Sequence, residues 1–243
     1  MFDDAPVAFI ELLRSSPVIL VSLLVYVLCT STILFLNKRF KHIGLCCYTV
    51  LCGVISNIQI LYPTQYEFMP LAVLLGTVVF SSTFLATDIT TRHYGEQNAK
   101  VTIYLSIVCN IFFVLNMLLM LGHKPLETIS MNKYTDALSL IFIPQIRFTV
   151  ASYISFCISQ LSEILLLRAL GKSVIGHNIA LFTSAIIVDN IVFTLFAFVI
   201  FNDGSFTTQS ALEISLSAIV TRLVCNFLNT LVCKLFVSRS KVV

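Results

Sequence analysis

Seven apolar runs, each close to the length of a bilayer crossing, leave little of this chain for anything else. They fall at about 17–36, 43–61, 70–91, 101–121, 141–167, 179–201 and 211–236 of the 243 residues. A helix needs about 20 apolar residues to cross hydrocarbon, so seven would use roughly 140, and 58% of the chain is hydrophobic. Charge is scarce to match: 15 Lys and Arg and 12 Asp and Glu, where a soluble domain of this length would carry about 60 at roughly 25% of its residues. With a mean hydropathy of +0.96, the polar residues are too few to cover a water-soluble globule. A secreted protein, a cytosolic enzyme and a nucleic-acid binder are all excluded. The sequence predicts an all-α polytopic membrane protein, one transmembrane domain over residues 1–243 with short loops. The fifth run is longer than a crossing requires and is expected to tilt or project.

The loops orient the chain. Placing the amino terminus outside puts Lys38, Arg39, Lys41, Arg92, Lys100, Arg168, Lys172, Lys234, Arg239 and Lys241 inside and leaves only Arg14, Lys124 and Lys133 outside. An excess of inner bases is the rule for short loops, and it favours amino terminus out and carboxyl terminus in, which needs an odd number of spans. Asp3, Asp4 and Glu11 precede the first apolar run, the reverse of a basic signal-peptide start, so no cleavable signal is expected. Ser15 and Ser16 before Pro17 mark a helix start. The eight cysteines lie within or at the ends of apolar runs and read as small reduced hydrophobes. Cys46, Cys47 and Cys52 lack a recurring metal-ligand spacing.

Function in such a chain belongs with the ionisable groups that a bilayer should have excluded. Five fall within the spans: Asp88, Arg147, Glu163, Asp189 and Arg222. At about 2.5–3.5 kcal/mol each on insertion scales, an unpaired set would cost on the order of 12–17 kcal/mol. They must therefore face a protein interior or a wet cavity. Two buried ion pairs with one carboxylate protonated would satisfy the charge balance of minus one. A polar ligand site is the alternative, since a bundle can be stable without charges on four separate helices.

Helical geometry at 100° per residue brings neighbours to each charge. Phe182, Phe193 and Phe196 fall within about 20–40° of Asp189, flanking an acid with rings, as suits a flat nitrogen-bearing ligand; packing alone is the plainer explanation of the stripe. On the fifth helix Ser152, Ser155, Ser159 and Ser162 share a face that permits close helix approach, with Gln160 and Glu163 beside it. Arg147 stands about 24 Å along the axis from Glu163 and cannot pair with it. On the seventh, Ser215, Arg222, Asn226 and Asn229 make a polar stripe that either binds helices together or lines a pathway. Asp88 lies near the inner end of the third helix, within reach of headgroup water.

No catalytic pattern competes. His42, His93, His123 and His177 are isolated at membrane boundaries, without metal spacing or a neighbouring nucleophile, and no phosphate-binding glycine loop is present. No catalytic residue, metal ligand or cofactor is expected.

Specific segments then resemble a known family. Phe84-Leu85-Ala86-Thr87-Asp88-Ile89-Thr90-Thr91 followed by Tyr94-Gly95, Arg147 to Ser152 with Gln160-Leu161-Ser162-Glu163, and His177-Asn178 through Val188-Asp189-Asn190 to Phe198 are similar to the signatures of the queuosine precursor transporters, also called the vitamin uptake transporter family. The likeness runs from about Asn57 to Arg222, in the family's order. Departures are Glu163 and Ser159, where the family usually has aspartate and glycine, and Arg222, near which it often has lysine. The resemblance implies a six-helix core similar to the substrate-binding subunits of energy-coupling vitamin importers, with the helix at 17–36 added. It also implies import of a 7-deazaguanine base, such as queuine or the aminomethyl or cyano deazaguanines, across a bacterial inner membrane for tRNA modification. The candidate substrate-binding set is Asp189, Glu163, Gln160, Arg147, Asp88, Arg222, Asn57, Asn226, Phe182, Phe193 and Phe196. Adjacent ring N–H and amino donors suit a carboxylate, and the rings suit stacking. A proton-coupled carrier of another planar heterocycle or vitamin, and a non-transporting membrane scaffold, are the competing readings. The partners expected are the small-molecule substrate and the lipid bilayer, with no nucleic acid; a homo-oligomeric or energising partner is left open.

Overall fold

A computed structural model of the chain describes residues 4–66, 69–123, 129–170, 186–201, 204 and 207–232. The helices in order are α1 (Asp4–Ser15), α2 (Val18–Gln59), α3 (Gly76–Tyr94), α4 (Glu96–Leu121), α5 (Ile129–Leu170), α6 (Ile186–Ile200) and α7 (Thr208–Val232), with strands β1 (Pro63–Tyr66) and β2 (Met69–Leu74) between α2 and α3. Four helical segments are long and apolar enough to cross a bilayer: Val18–Gln59, Glu96–Leu121, Lys133–Ser159 and Thr208–Val232. Their outer faces carry bare apolar side chains, such as Leu28, Phe112, Leu140 and Phe227. Water would penalise a belt of that extent, whereas lipid solvates it.

At 1.5 Å per residue, the 42 residues of α2 would reach about 63 Å, twice the thickness of hydrocarbon. The helix is broken at Lys41 (φ 55°, ψ −140°), and there the chain turns back on itself. A Cβ on Gly44 would stand 2.8 Å from the carbonyl oxygen of Leu36, whereas eight residues along a straight helix span about 12 Å. The first arm (18–40) and second arm (42–59) therefore form a helical hairpin, which accounts for the two apolar runs at 17–36 and 43–61. Cys29 and Ile33 from the first arm, Leu45, Tyr48 and Cys52 from the second, and Leu85, Ala86 and Ile89 of α3 make one buried cluster.

The helix start expected at Ser15, Ser16 and Pro17 is present: α2 begins at Val18, after Pro17 takes an extended ψ of 135°. Before it, α1 is a separate short helix in whose last turn the Ser15 and Ser16 hydroxyls donate to the Leu12 carbonyl. One local expectation is corrected. The span expected at 70–91 begins only at Gly76. Residues 69–74 instead form β2, antiparallel to β1, with Pro63 opposite Leu74 and an irregularity between Gln65 and Tyr66. The prolines at 63 and 70 disfavour helix on either side of the turn. Hydropathy cannot separate a buried strand from a helix start. The hairpin's backbone is not left bare, because Ser217 of α7 donates to the Ala72 carbonyl at 2.5 Å. Outside this hairpin the described chain is helical, as an all-α membrane protein requires.

α3 is more polar than the four spans, yet it lies at the centre, packed on the second arm, α4 and α7. Its hydroxyls close on its own backbone. Ser81 donates to the Thr77 carbonyl, Ser82 to Val79, Thr83 to Phe80 and Thr90 to Ala86, so the polar side chains cost little in a dry interior. Gly76 sets the approach of α3 to the second arm, because a Cβ there would collide with the Ser56 carbonyl oxygen. Since both clashing elements are backbone, Gly76→Ala is expected to destabilise the bundle by about 1–3 kcal/mol. Thermal unfolding in detergent checks this; a melting temperature equal to that of wild type would refute the close approach.

Candidate functional site

A buried ion pair joins α6 to α7. Asp189 is 1% exposed and Arg222 8%, and Arg222 Nη1 donates to Asp189 Oδ2 at 2.5 Å. Asp189 Oδ1 is also buried and has no hydrogen-bond partner among the described residues. Half of the carboxylate is thus unused. The guanidinium carbon of Arg222 lies 5.2 Å from the ring centroid of Phe80 on α3, a cation–π contact worth about 0.5–2 kcal/mol depending on desolvation.

Both members of the pair line one cavity. Asn57, Thr77, Phe80, Asn190 and Phe193 line it as well, and Ile60, Leu74 and Gly76 close the end next to the β-hairpin. Asn190 is held by Ser215 of α7, donating to its hydroxyl at 2.7 Å and its carbonyl at 2.9 Å. Ser152 of α5 donates to Asn57 Oδ1 at 3.2 Å. Five elements therefore converge on one polar chamber: the second arm, α3, α5, α6 and α7.

Of the residues expected from sequence, the structure brings Asn57, Asp189, Phe193 and Arg222 together around this cavity. Others stand apart. Asp88, with its side chain 24% exposed, pairs with Arg92 one turn later at 2.7 Å. The Arg147 guanidinium lies over the Phe148 ring at 4.9 Å. Asn226 is half-buried and accepts from Thr230. Phe196 is not among the residues that line this cavity; its ring packs on Phe201 at 5.8 Å, in a stretch from Leu195 to Ile200 where the helix is π. The side chains of Gln160 and Glu163, and Phe182 altogether, lie outside the described residues.

The polar stripe of α7 works largely as an inter-helix fastening. Asn229 accepts from the Tyr26 hydroxyl at 2.9 Å and donates to the Ser81 carbonyl at 3.2 Å, and Ser215 holds Asn190. Phe80, Thr77 and Asn190 are site residues that sequence reasoning passed over. Nothing distinguishes Phe80 among 20 phenylalanines; Asn190 adjoins the singled-out acid and is the one that a search for buried amides would have found.

A helical membrane protein with a buried charged chamber at the convergence of its spans has the build of a small-molecule carrier. Residues 74–236 match the model of the family described as "Putative vitamin uptake transporter", and the chain belongs to that family, a family of multi-pass membrane transporters. It is similar to the "Probable queuosine precursor transporter" of Bacillus subtilis (strain 168), 26% identical over 142 residues that cover 58% of this chain and 59% of that protein. No solved structure matches the chain.

Removing one partner of a buried ion pair strands the other, at about 3–5 kcal/mol. Asp189→Asn and Arg222→Gln are each expected to lower the melting temperature in detergent, and the double variant to recover most of the loss. Additive losses in the double variant would show that the two groups do not depend on each other.

Proposed function

We propose that this chain imports a queuosine precursor, a 7-deazaguanine base, by alternating access around the Asp189–Arg222 chamber. The observation that carries the reading is Asp189 Oδ1, buried and without a hydrogen-bond partner among the described residues, on a carboxylate that lines a cavity together with the Phe80 and Phe193 rings. A deazaguanine edge presents an N–H and an amino group side by side, which a carboxylate accepts. Asp189 Oδ1 takes one donor, and the Phe80 and Phe193 rings bound the plane of the base. Arg222 and Asn57 supply donors for the ring carbonyl. Family membership and the likeness to the Bacillus subtilis protein support the substrate class. Glu163 and Gln160, on the same helix as Ser152, complete the proposed set. The seven-span topology, with the amino terminus outside in a bacterial inner membrane, agrees with the helical hairpin of α2 and with the basic inner loops.

The closed ion pair itself favours a second reading, a membrane scaffold in which Asp189 and Arg222 only hold α6 to α7. One experiment separates them. In a strain unable to make the precursor, uptake of tritiated deazaguanine is expected with the wild-type chain. It should be lost, with protein still in the membrane, in the Asp189→Asn/Arg222→Gln double variant, which keeps the fastening neutral but replaces the carboxylate with an amide that has a single acceptor oxygen. Uptake preserved in the double variant would leave only the scaffold role for the pair. Collapse of the proton gradient in the same assay reports whether uptake is proton-coupled.

A further inference from the structure

A second cavity adjoins the charged one and differs from it in character. It lies between the second arm, α3, α4 and α5, and shares Ser56, Asn57, Phe80 and Ser152 with the first. Phe80 therefore lines both, with the Arg222 guanidinium against its ring. None of the described residues lining the second cavity is charged. Its polar groups are hydroxyls and two amides, Asn57 and Asn110, which are 6% and 2% exposed. Asn110 lies midway along α4, donates one N–H to the Ser106 carbonyl at 2.8 Å and packs its amide against Gly53. Its carbonyl oxygen has no hydrogen-bond partner among the described residues, and neither does the Asn57 amide nitrogen. Phe84, Tyr153 and Phe156 add rings around these amides.

Two amides, several hydroxyls and three more rings thus line one space without a charge among its described residues. Building on the transport reading above, we propose that this chamber is a second station for the substrate, specific for an uncharged planar heterocycle. The base meets the amides of Asn57 and Asn110 by its polar edge and passes Phe80 to reach Asp189. The selectivity follows from electrostatics. An ammonium entering a chamber without a counter-charge loses its hydration uncompensated, and the Asp189–Arg222 pair beyond it is already neutral. A precursor with a nitrile substituent therefore passes, and one with an aminomethyl substituent, cationic at neutral pH, is disfavoured.

The test is competition for uptake of tritiated base by the unlabelled cyano and aminomethyl deazaguanines, in wild type and in Asn110→Asp. Wild type is expected to be inhibited more strongly by the cyano base. Asn110→Asp, nearly isosteric, places a carboxylate in the neutral chamber and should move the inhibition ratio toward the aminomethyl base by about tenfold or more. If Asn110→Asp does not reach the membrane, Thr83→Asp puts the charge on the α3 wall of the same chamber and is read in the same way. A ratio unmoved by the added carboxylate, or a wild type that already prefers the ammonium, overturns the second station while leaving import of deazaguanines standing. Failure of both bases to compete in wild type overturns the transport reading and this proposal with it.

Discussion

The bundle is organised by the high cost of an isolated charge in hydrocarbon. Asp189 and Arg222 are each tolerable at depth only because the other is there, so α6 and α7 are committed to one relative position. That commitment is reinforced along α7: Ser215 holds Asn190, Ser217 holds the β2 backbone and Asn229 binds both Tyr26 and α3. Lipid supplies no hydrophobic drive between helices, which leaves packing and such polar contacts to do the joining. The same arrangement leaves one carboxylate oxygen without a partner among the described residues.

Elsewhere the chain disposes of polar groups locally. Several serines and threonines of α3 and α5 turn their hydroxyls onto carbonyls three or four residues back, so they add little polarity while keeping helices thin enough to approach closely. Breaks fall where the backbone permits or demands them: Pro17 before α2, Lys41 at the tip of the helical hairpin and Gly95, with φ of 90°, between α3 and α4. Irregular backbone survives at the β-hairpin because α7 covers it.

Hydropathy made an all-helical membrane protein legible, since crossing a bilayer demands a length of apolar chain wherever it occurs. It could not distinguish strand from helix at 69–74, where the same apolar residues serve either form. It also gave no sign of the π turns after Thr194. The site was legible in part. Asp189 and Arg222 stood out because charges at depth are rare, and Asn57 and Phe193 joined the candidates with them. Phe80, Thr77 and Asn190 were silent, because common or neutral residues acquire a role only from what they are placed against.

From the sequence alone follow the membrane environment, the approximate spans and the few residues whose burial needs explanation, because each depends on transfer free energies that belong to residues one at a time. Its motifs also carried the resemblance to the vitamin uptake transporters. Only the tertiary structure decided that Arg222 answers Asp189, that Asp88 pairs with Arg92 instead of entering the chamber, and that Phe80 lines both a charged cavity and a neutral one. Those are properties of distances between helices, set by packing and by breaks such as Lys41 that no local pattern announces.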